Sequence, residues 1–138
     1  MAEEKAGYEM NQLYDIIDTV ASIIFNANRA KGFYDDEPFQ TVSGMASIEE
    51  DCLHQKRIYL GNKIALMHGE LSELHEAIRK DIKVSEHIPE FSAIEEEVAD
   101  TIIRLLDFAG YNELRLAQAI KAKLIYNQSR PYKHGKKF

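Results

Sequence analysis

The chain is 138 residues long, 45% hydrophobic and 29% charged, with a formal net charge of −6. That length suits one domain with a core of its own, and the composition is that of a globular protein. The acidic balance argues against wholesale nucleic-acid binding, and no apolar run approaches the roughly 20 residues that a membrane span needs.

A lone cysteine, Cys52, rules out an intrachain disulfide and suits a reducing compartment. The opening MAEEKAGYEM is acidic and has no apolar signal core, so the chain reads as cytoplasmic. It is expected to form a single domain over 1–138, with residues 1–12 as an N-terminal extension and 131–138 as a basic tail.

Leu13, Ile16, Ile17, Val20, Ile24 and Ala27 recur at helical spacing and predict a first helix from about Tyr8 to Lys31, stopped by Gly32. Residues 33–46, punctuated by Pro38 and Gly44, read as a loop. Ser47 and Glu50 have capping-box spacing, so a second helix is expected from near Ile48 to about Lys80, with Gly61 as a place to bend. Pro89 marks the connector 81–91. Ser92 and Glu95 form a second capping-box pattern that opens a third helix, ending near Gly110. Asn112 suits the cap of a fourth helix, which Pro131 must end. With no repeat, low-complexity tract or strand pattern, the expected fold is all-α: a four-helix-bundle-like core with an extra short helix or loop.

The carboxylates carry the chemistry. Glu70 and Glu73 stand at i and i+3 in GELSELHEAIRK, and Glu97 and Asp100 repeat that spacing in IEEEVADTIIRLLDFA. Residues three apart share a helix face, so two such helices side by side offer four carboxylates to one spot. Hard divalent cations, magnesium above all, take such oxygen ligands. Acid pairs of this kind are also common on solvated faces. On the second helix Ile64, Met67, Leu71, Leu74 and Ile78 form an apolar stripe, and Glu70 and Glu73 share their side with Tyr59, Leu66 and Ala77. Acids in apolar surroundings are costly unless paired or metal-bound. On the third helix Val98, Ala99, Ile102, Leu105 and Leu106 form the apolar face. Glu97 and Asp100 lie nearly opposite it, beside Arg104 and Asp107, and periodicity reads them as solvated unless another helix or subunit covers them.

A second constellation is basic. After Glu113 there is no further acid, but Arg115, Lys121, Lys123, Arg130, Lys133, Lys136 and Lys137 follow, with His134 among them. Lys123, Asn127 and Arg130 share one helix face and are of the types that grip phosphate oxygens. A solvated tail is the plain alternative. An acidic metal site and a basic clamp together suggest a triphosphate bound with magnesium.

At GELSEL, EEEVADTIIRLLDFAG and KLIYNQSRPYKHGKK the sequence resembles the MazG-like nucleotide pyrophosphohydrolases, within the all-α nucleoside triphosphate pyrophosphatase superfamily. The resemblance runs from about Lys63 to Lys137, with a looser likeness around NANRAKGFYDD. Residues 1–12 and 37–55 match none of its motifs. It implies that Glu97 and Asp100 face a covered site, and that (deoxy)nucleoside triphosphates are hydrolysed to monophosphate and pyrophosphate. It also implies homodimers or dimers of dimers. In this reading Glu70, Glu73, Glu97 and Asp100 hold magnesium, with manganese as a substitute. Glu73 or Glu76 orients or deprotonates the attacking water. Lys123, Asn127 and Arg130 hold the departing phosphates, seconded by Lys133 and His134, with Arg79 and Lys80 as further candidates. Residues 33–55 are expected to border the nucleoside. Base, sugar and the choice between house-cleaning of the nucleotide pool and regulation stay open.

The remaining residues offer less. Cys52 and His54 lie in no nucleophile motif, Asp51 and His54 have metal-ligand spacing but as a lone pair read more readily as surface, Phe33 and Tyr34 suit either base stacking or packing at a helix end, and no P-loop is present. Two rival classes remain. A non-catalytic helical module would use the basic tail to dock a partner. A di-iron bundle would need Glu-x-x-His motifs, which are absent.

Overall fold

The structure, a computed structural model, describes residues 2–35 and 50–131. Among these the chain is all-helical, with no strand: α1 (Ala2–Ala30), α2 (Glu50–Arg79), α3 (Ala93–Tyr111) and α4 (Leu116–Gln128). The Ser47 capping pattern, the loop over 36–46, and Lys133 and His134 lie outside the described residues. No helix among the described residues is long and apolar enough to cross a membrane.

Two boundaries differ from expectation. α1 begins at Ala2, not near Tyr8. The run AEEKA has high helix propensity and places its acids at the positive end of the helix dipole, so it extends the helix without an apolar stripe. α2 runs unbroken through Gly61 and includes residues 50–55, which the sequence left without a motif.

The C-termini of α1, α2 and α3 follow one device. Gly32 has φ 84°, with Phe33 N–H donating to the Asn28 carbonyl at 3.2 Å. Asp81 has φ 56°, with Ile82 N–H donating to the Ala77 carbonyl at 3.0 Å. Glu113 has φ 50°, with Leu114 N–H donating to the Ala109 carbonyl at 2.9 Å. All three are Schellman closures around a left-handed residue. The Ser92–Glu95 capping box at the start of α3 forms as expected. Asn112, expected to cap α4, instead closes α3, its side-chain amide donating to the Phe108 carbonyl at 2.8 Å. α4 starts after Arg115 without a side-chain cap of its own. Asp18 of α1 performs that role, accepting from Ala117 N–H at 3.0 Å and placing a negative charge at the helix N-terminus.

α3 is the central element, packed against α1 on one side and α2 on the other, while α4 lies on α1. At the α1–α3 crossing a Cβ on Gly110 would stand 2.6 Å from the Ala21 carbonyl oxygen and 2.8 Å from Phe25 Cβ, so only glycine allows this approach. Phe25, Tyr34 and Tyr111 pack there, with ring centroids 5.1 to 6.0 Å apart. The other buried apolar positions among the described residues are Met67 and the small Ala21, Ala77, Ala93, Ala109 and Ala117, while Lys56, Glu70, Ser85 and Asp107 are buried polar side chains.

The apolar stripes face outward. Ile64, Leu71 and Ile78 of α2 and Val98, Ile102 and Leu105 of α3 are exposed, while Met67, of the same α2 stripe, is buried. Periodicity reads Glu97 and Asp100 as solvated unless another helix covers them, and α2 is that helix: both are partly buried where α3 meets α2. Periodicity located the two faces of α3 and assigned the wrong one to the interior of this chain.

Candidate functional site

The α2–α3 seam gathers acids. Glu70, only 7% exposed, Glu97 and Asp100 each present a carboxylate oxygen, and these atoms lie within 4.8 Å of one another. Spacing explains the convergence: Glu97 and Asp100 sit one turn apart on the α3 face that meets α2, and Glu70 projects from the middle of α2. Glu73, one turn along, is exposed and lies close enough to raise the pKa of Glu97.

The electrostatics are those of an overfilled acidic site. Burial, then Glu73, Glu96, Asp100 and Glu70, push the Glu97 carboxyl above its ordinary value. Burial, then Glu70 and Glu96, raise Asp100, against a partial offset from Arg104 and His87. Arg104 is joined directly to the trio, its Nε donating to Glu70. The Glu97 Oε2 atom is buried and accepts no hydrogen bond. A buried carboxylate oxygen without a donor, beside two more carboxylates, fits a hard divalent cation, since ion coordination would satisfy all three at once.

Two clefts meet at the cluster, and Asp100 lines both. The first, of about 410 Å³, is also lined by Glu70, Lys63, Arg104, Asp107, Asn28 and Phe33. The second, of about 310 Å³, is lined by Glu73, Glu76, Glu96, Glu97 and His87 among others. Its wall is the ordered connector 81–92. There the buried Ser85 hydroxyl accepts from His87 N–H at 3.2 Å and Ile88 N–H at 2.9 Å, and His87 Nδ1 bonds Glu96 Oε1 at 2.8 Å. That bond to Glu96 raises the His87 pKa, while Ser85 and then His87 lower that of Glu96.

Glu76 is engaged elsewhere. Its carboxylate pairs with Arg79 at 2.7 Å and Lys80 at 2.8 Å, and these contacts hold its pKa at about 2. Arg79 and Lys80 thus spend their charge on Glu76. Lys123 and Asn127 sit on α4, which packs on α1, and Arg130 follows just past its end; none of the three lines either cleft. The Lys123 ammonium and the Arg130 guanidinium instead lie over the Tyr126 ring, at 4.7 and 5.9 Å.

Tyr34 and Phe33 part company. Tyr34 is buried, stacked on Tyr111 with centroids 5.2 Å apart, and donates to Asp107 Oδ2 at 2.6 Å. Phe33 is 69% exposed and lines the first cleft, so packing at the helix end does not account for it. Sequence reasoning passed over Lys63, Arg104 and Asp107. The signal was present: Arg104 and Asp107 lie four and seven residues beyond Asp100, on one face of α3.

No family model matches the chain, and neither a curated protein nor a solved structure is similar enough to match.

Proposed function

We propose that this protein is a magnesium-dependent nucleoside triphosphate pyrophosphohydrolase, releasing pyrophosphate and a nucleoside monophosphate. The observation that carries the reading is the convergence of Glu70, Glu97 and Asp100 from two helices, with a buried Glu97 oxygen lacking any donor, beside a cleft of about 410 Å³ that Glu70 and Asp100 line. A pocket of that size is within the range of small-molecule sites. The resemblance of the E-x-x-E and E-x-x-D motifs to the MazG-like enzymes points the same way.

Glu70, Glu97 and Asp100 would hold the ion, with Glu73 as the fourth carboxylate. Magnesium there supplies charge neutralisation for the phosphates and Lewis acidity. Glu73, exposed on the second cleft, orients the water that attacks the α-phosphorus and receives its proton. Glu76 is the weaker choice, because a carboxylate held at about 2 by two cations is a poor base. Arg104 fixes Glu70 and, with Lys63, adds positive charge to the substrate cleft. Lys123, Asn127 and Arg130 are assigned to the departing phosphates on chemistry alone. Replacing Lys123 and Arg130 with alanine is expected to raise KM for the triphosphate.

A homo-oligomer belongs to the same reading. Ile64, Leu71 and Ile78 repeat every seven residues on α2, and Val98, Ile102 and Leu105 share a face of α3, all exposed. Exposed apolar stripes of this kind suit an interface, and a second copy of the chain would cover them. Sedimentation is expected to show a dimer or tetramer at micromolar concentration; a stable monomer overturns this part.

Incubation with a panel of nucleoside triphosphates and magnesium, with pyrophosphate detection, tests the activity. Release that stops on chelation supports it. No release from any member leaves the binding-module alternative.

A further inference from the structure

Asp107 has a hydrogen-bonding capacity that the fold does not use. It lies two helical turns beyond Asp100 on the same face of α3, about 10 Å along the axis. It lines the same cleft and is only 9% exposed. Its Oδ2 accepts from the Tyr34 hydroxyl at 2.6 Å, while its Oδ1 is buried and accepts nothing. A carboxylate takes hydrogen bonds on both oxygens, and burying one without a donor is unfavourable. Tyr34 is itself fixed by Phe25 and Tyr111, and the Lys63 ammonium stands 4.1 Å from its ring centroid. The tyrosine therefore fixes the carboxylate through one oxygen, and the carboxylate, which lines the cleft, is left with its second oxygen lacking a donor.

The spacing suits a nucleotide. Ten ångströms is comparable to the distance from the α-phosphorus to the far edge of the base in an extended nucleotide. With its phosphates at the carboxylate trio, the substrate would place its base beside Asp107, with the exposed Phe33 ring as a stacking surface.

We infer that Asp107 reads the nucleobase, its Oδ1 accepting from an exocyclic amine, so that this cleft selects amino-bearing bases over their oxo counterparts. The inference rests on the reading of the first cleft as a nucleotide site. A carboxylate is an acceptor only. Cytosine and adenine present an amine donor at the position where uracil and hypoxanthine present a carbonyl acceptor. A carbonyl there would face the carboxylate acceptor to acceptor, and a site built to receive a donor rejects the analogue that lacks it.

The test uses the full chain and free nucleosides, so neither phosphate nor metal enters the result. Deoxycytidine against deoxyuridine, and deoxyadenosine against deoxyinosine, are titrated with binding followed by NMR. The amino member of each pair is expected to bind about tenfold tighter, the discrimination of one hydrogen bond to a charged group. Asp107→Asn, whose amide both donates and accepts, should bring each pair to within about twofold. Tyr34→Phe retains Oδ1 and should keep the preference. Equal binding within the pairs, tighter binding of the oxo members, no binding of any nucleoside, or an equal loss on all four in Asp107→Asn overturns the inference. Should Asp107→Asn not fold, the wild-type ratios and Tyr34→Phe decide. Selective nucleoside binding without pyrophosphate release from any triphosphate sinks the enzymatic reading and leaves this one. Release from dCTP and dUTP at equal kcat/KM does the reverse.

Discussion

The two halves of α3 are built to opposite ends. Its C-terminal half is locked against α1: Gly110 allows backbone contact with Ala21, Phe25, Tyr34 and Tyr111 close around it, and Tyr34 ties down Asp107. Its N-terminal half meets α2 through Glu97 and Asp100, whose charges oppose each other and Glu70. One half contributes stability and leaves two buried oxygens unsatisfied, Asp107 Oδ1 and the Tyr111 hydroxyl. The other half carries electrostatic repulsion that Arg104 and His87 offset only in part and that an added cation or added protons would relieve further. A helix that is well packed at one end and repulsive at the other has been shaped at the repulsive end by something other than the stability of the lone chain.

Breaking the packed half should have the largest effect. Gly110→Val would drive a branched side chain into the Ala21 carbonyl, a backbone atom that cannot move aside. It is expected to destabilise by about 3 kcal/mol, the upper range for overpacking, as read by denaturant unfolding. A loss under about 0.5 kcal/mol would mean that the crossing is looser than the structure has it.

The repulsive half should respond to cations. Magnesium is expected to raise the Tm of the wild type, by up to about 2.7 kcal/mol in stability at a hundredfold excess over Kd. Sodium at matched ionic strength should do little. Glu97→Gln and Asp100→Asn should lose most of the magnesium effect and, without metal at neutral pH, melt a few degrees above the wild type. An equal response of all three to magnesium would place the ion elsewhere.

Proton relief is the smaller counterpart. Burial and the neighbouring carboxylates raise the folded pKa of Glu97 and of Asp100 from its ordinary value, so between the unfolded and folded values the folded state binds more protons than the unfolded state. Stability from this pair therefore falls as pH rises through the raised values, and recovers on acidification. The metal-free advantage of Asp100→Asn over wild type should shrink as pH is lowered from 8 toward 5. An advantage that is flat or grows on acidification contradicts the assignment.

What could be read in the sequence followed locality. The Ser92–Glu95 box and the Gly32 stop are local signals, and both formed as expected. The left-handed closures at Asp81 and Glu113 carry no glycine to announce them. The cap on α4 comes from Asp18, remote in sequence, so no window around Asn112 holds it. The carboxylate spacing was visible because two helices each repeat it on one face. Its burial was not, because periodicity takes the apolar stripe as the inside. Here Val98, Ile102 and Leu105 face outward while Glu97 and Asp100 meet α2. Asp107 was hidden for the same reason, standing on the face read as solvated.

The central claim is that the Glu70–Glu97–Asp100 trio is the metal site of a nucleotide pyrophosphohydrolase. Pyrophosphate release by Asp100→Asn and by Glu70→Gln, each compared with wild type at saturating magnesium and nucleotide, tests it most directly, with circular dichroism to record that each variant folds. The account predicts that the wild type turns over at least one nucleoside triphosphate and that both variants lose at least about 99% of kcat, the scale on which removal of a key electrostatic group acts. Near-wild-type turnover by both folded variants would contradict it.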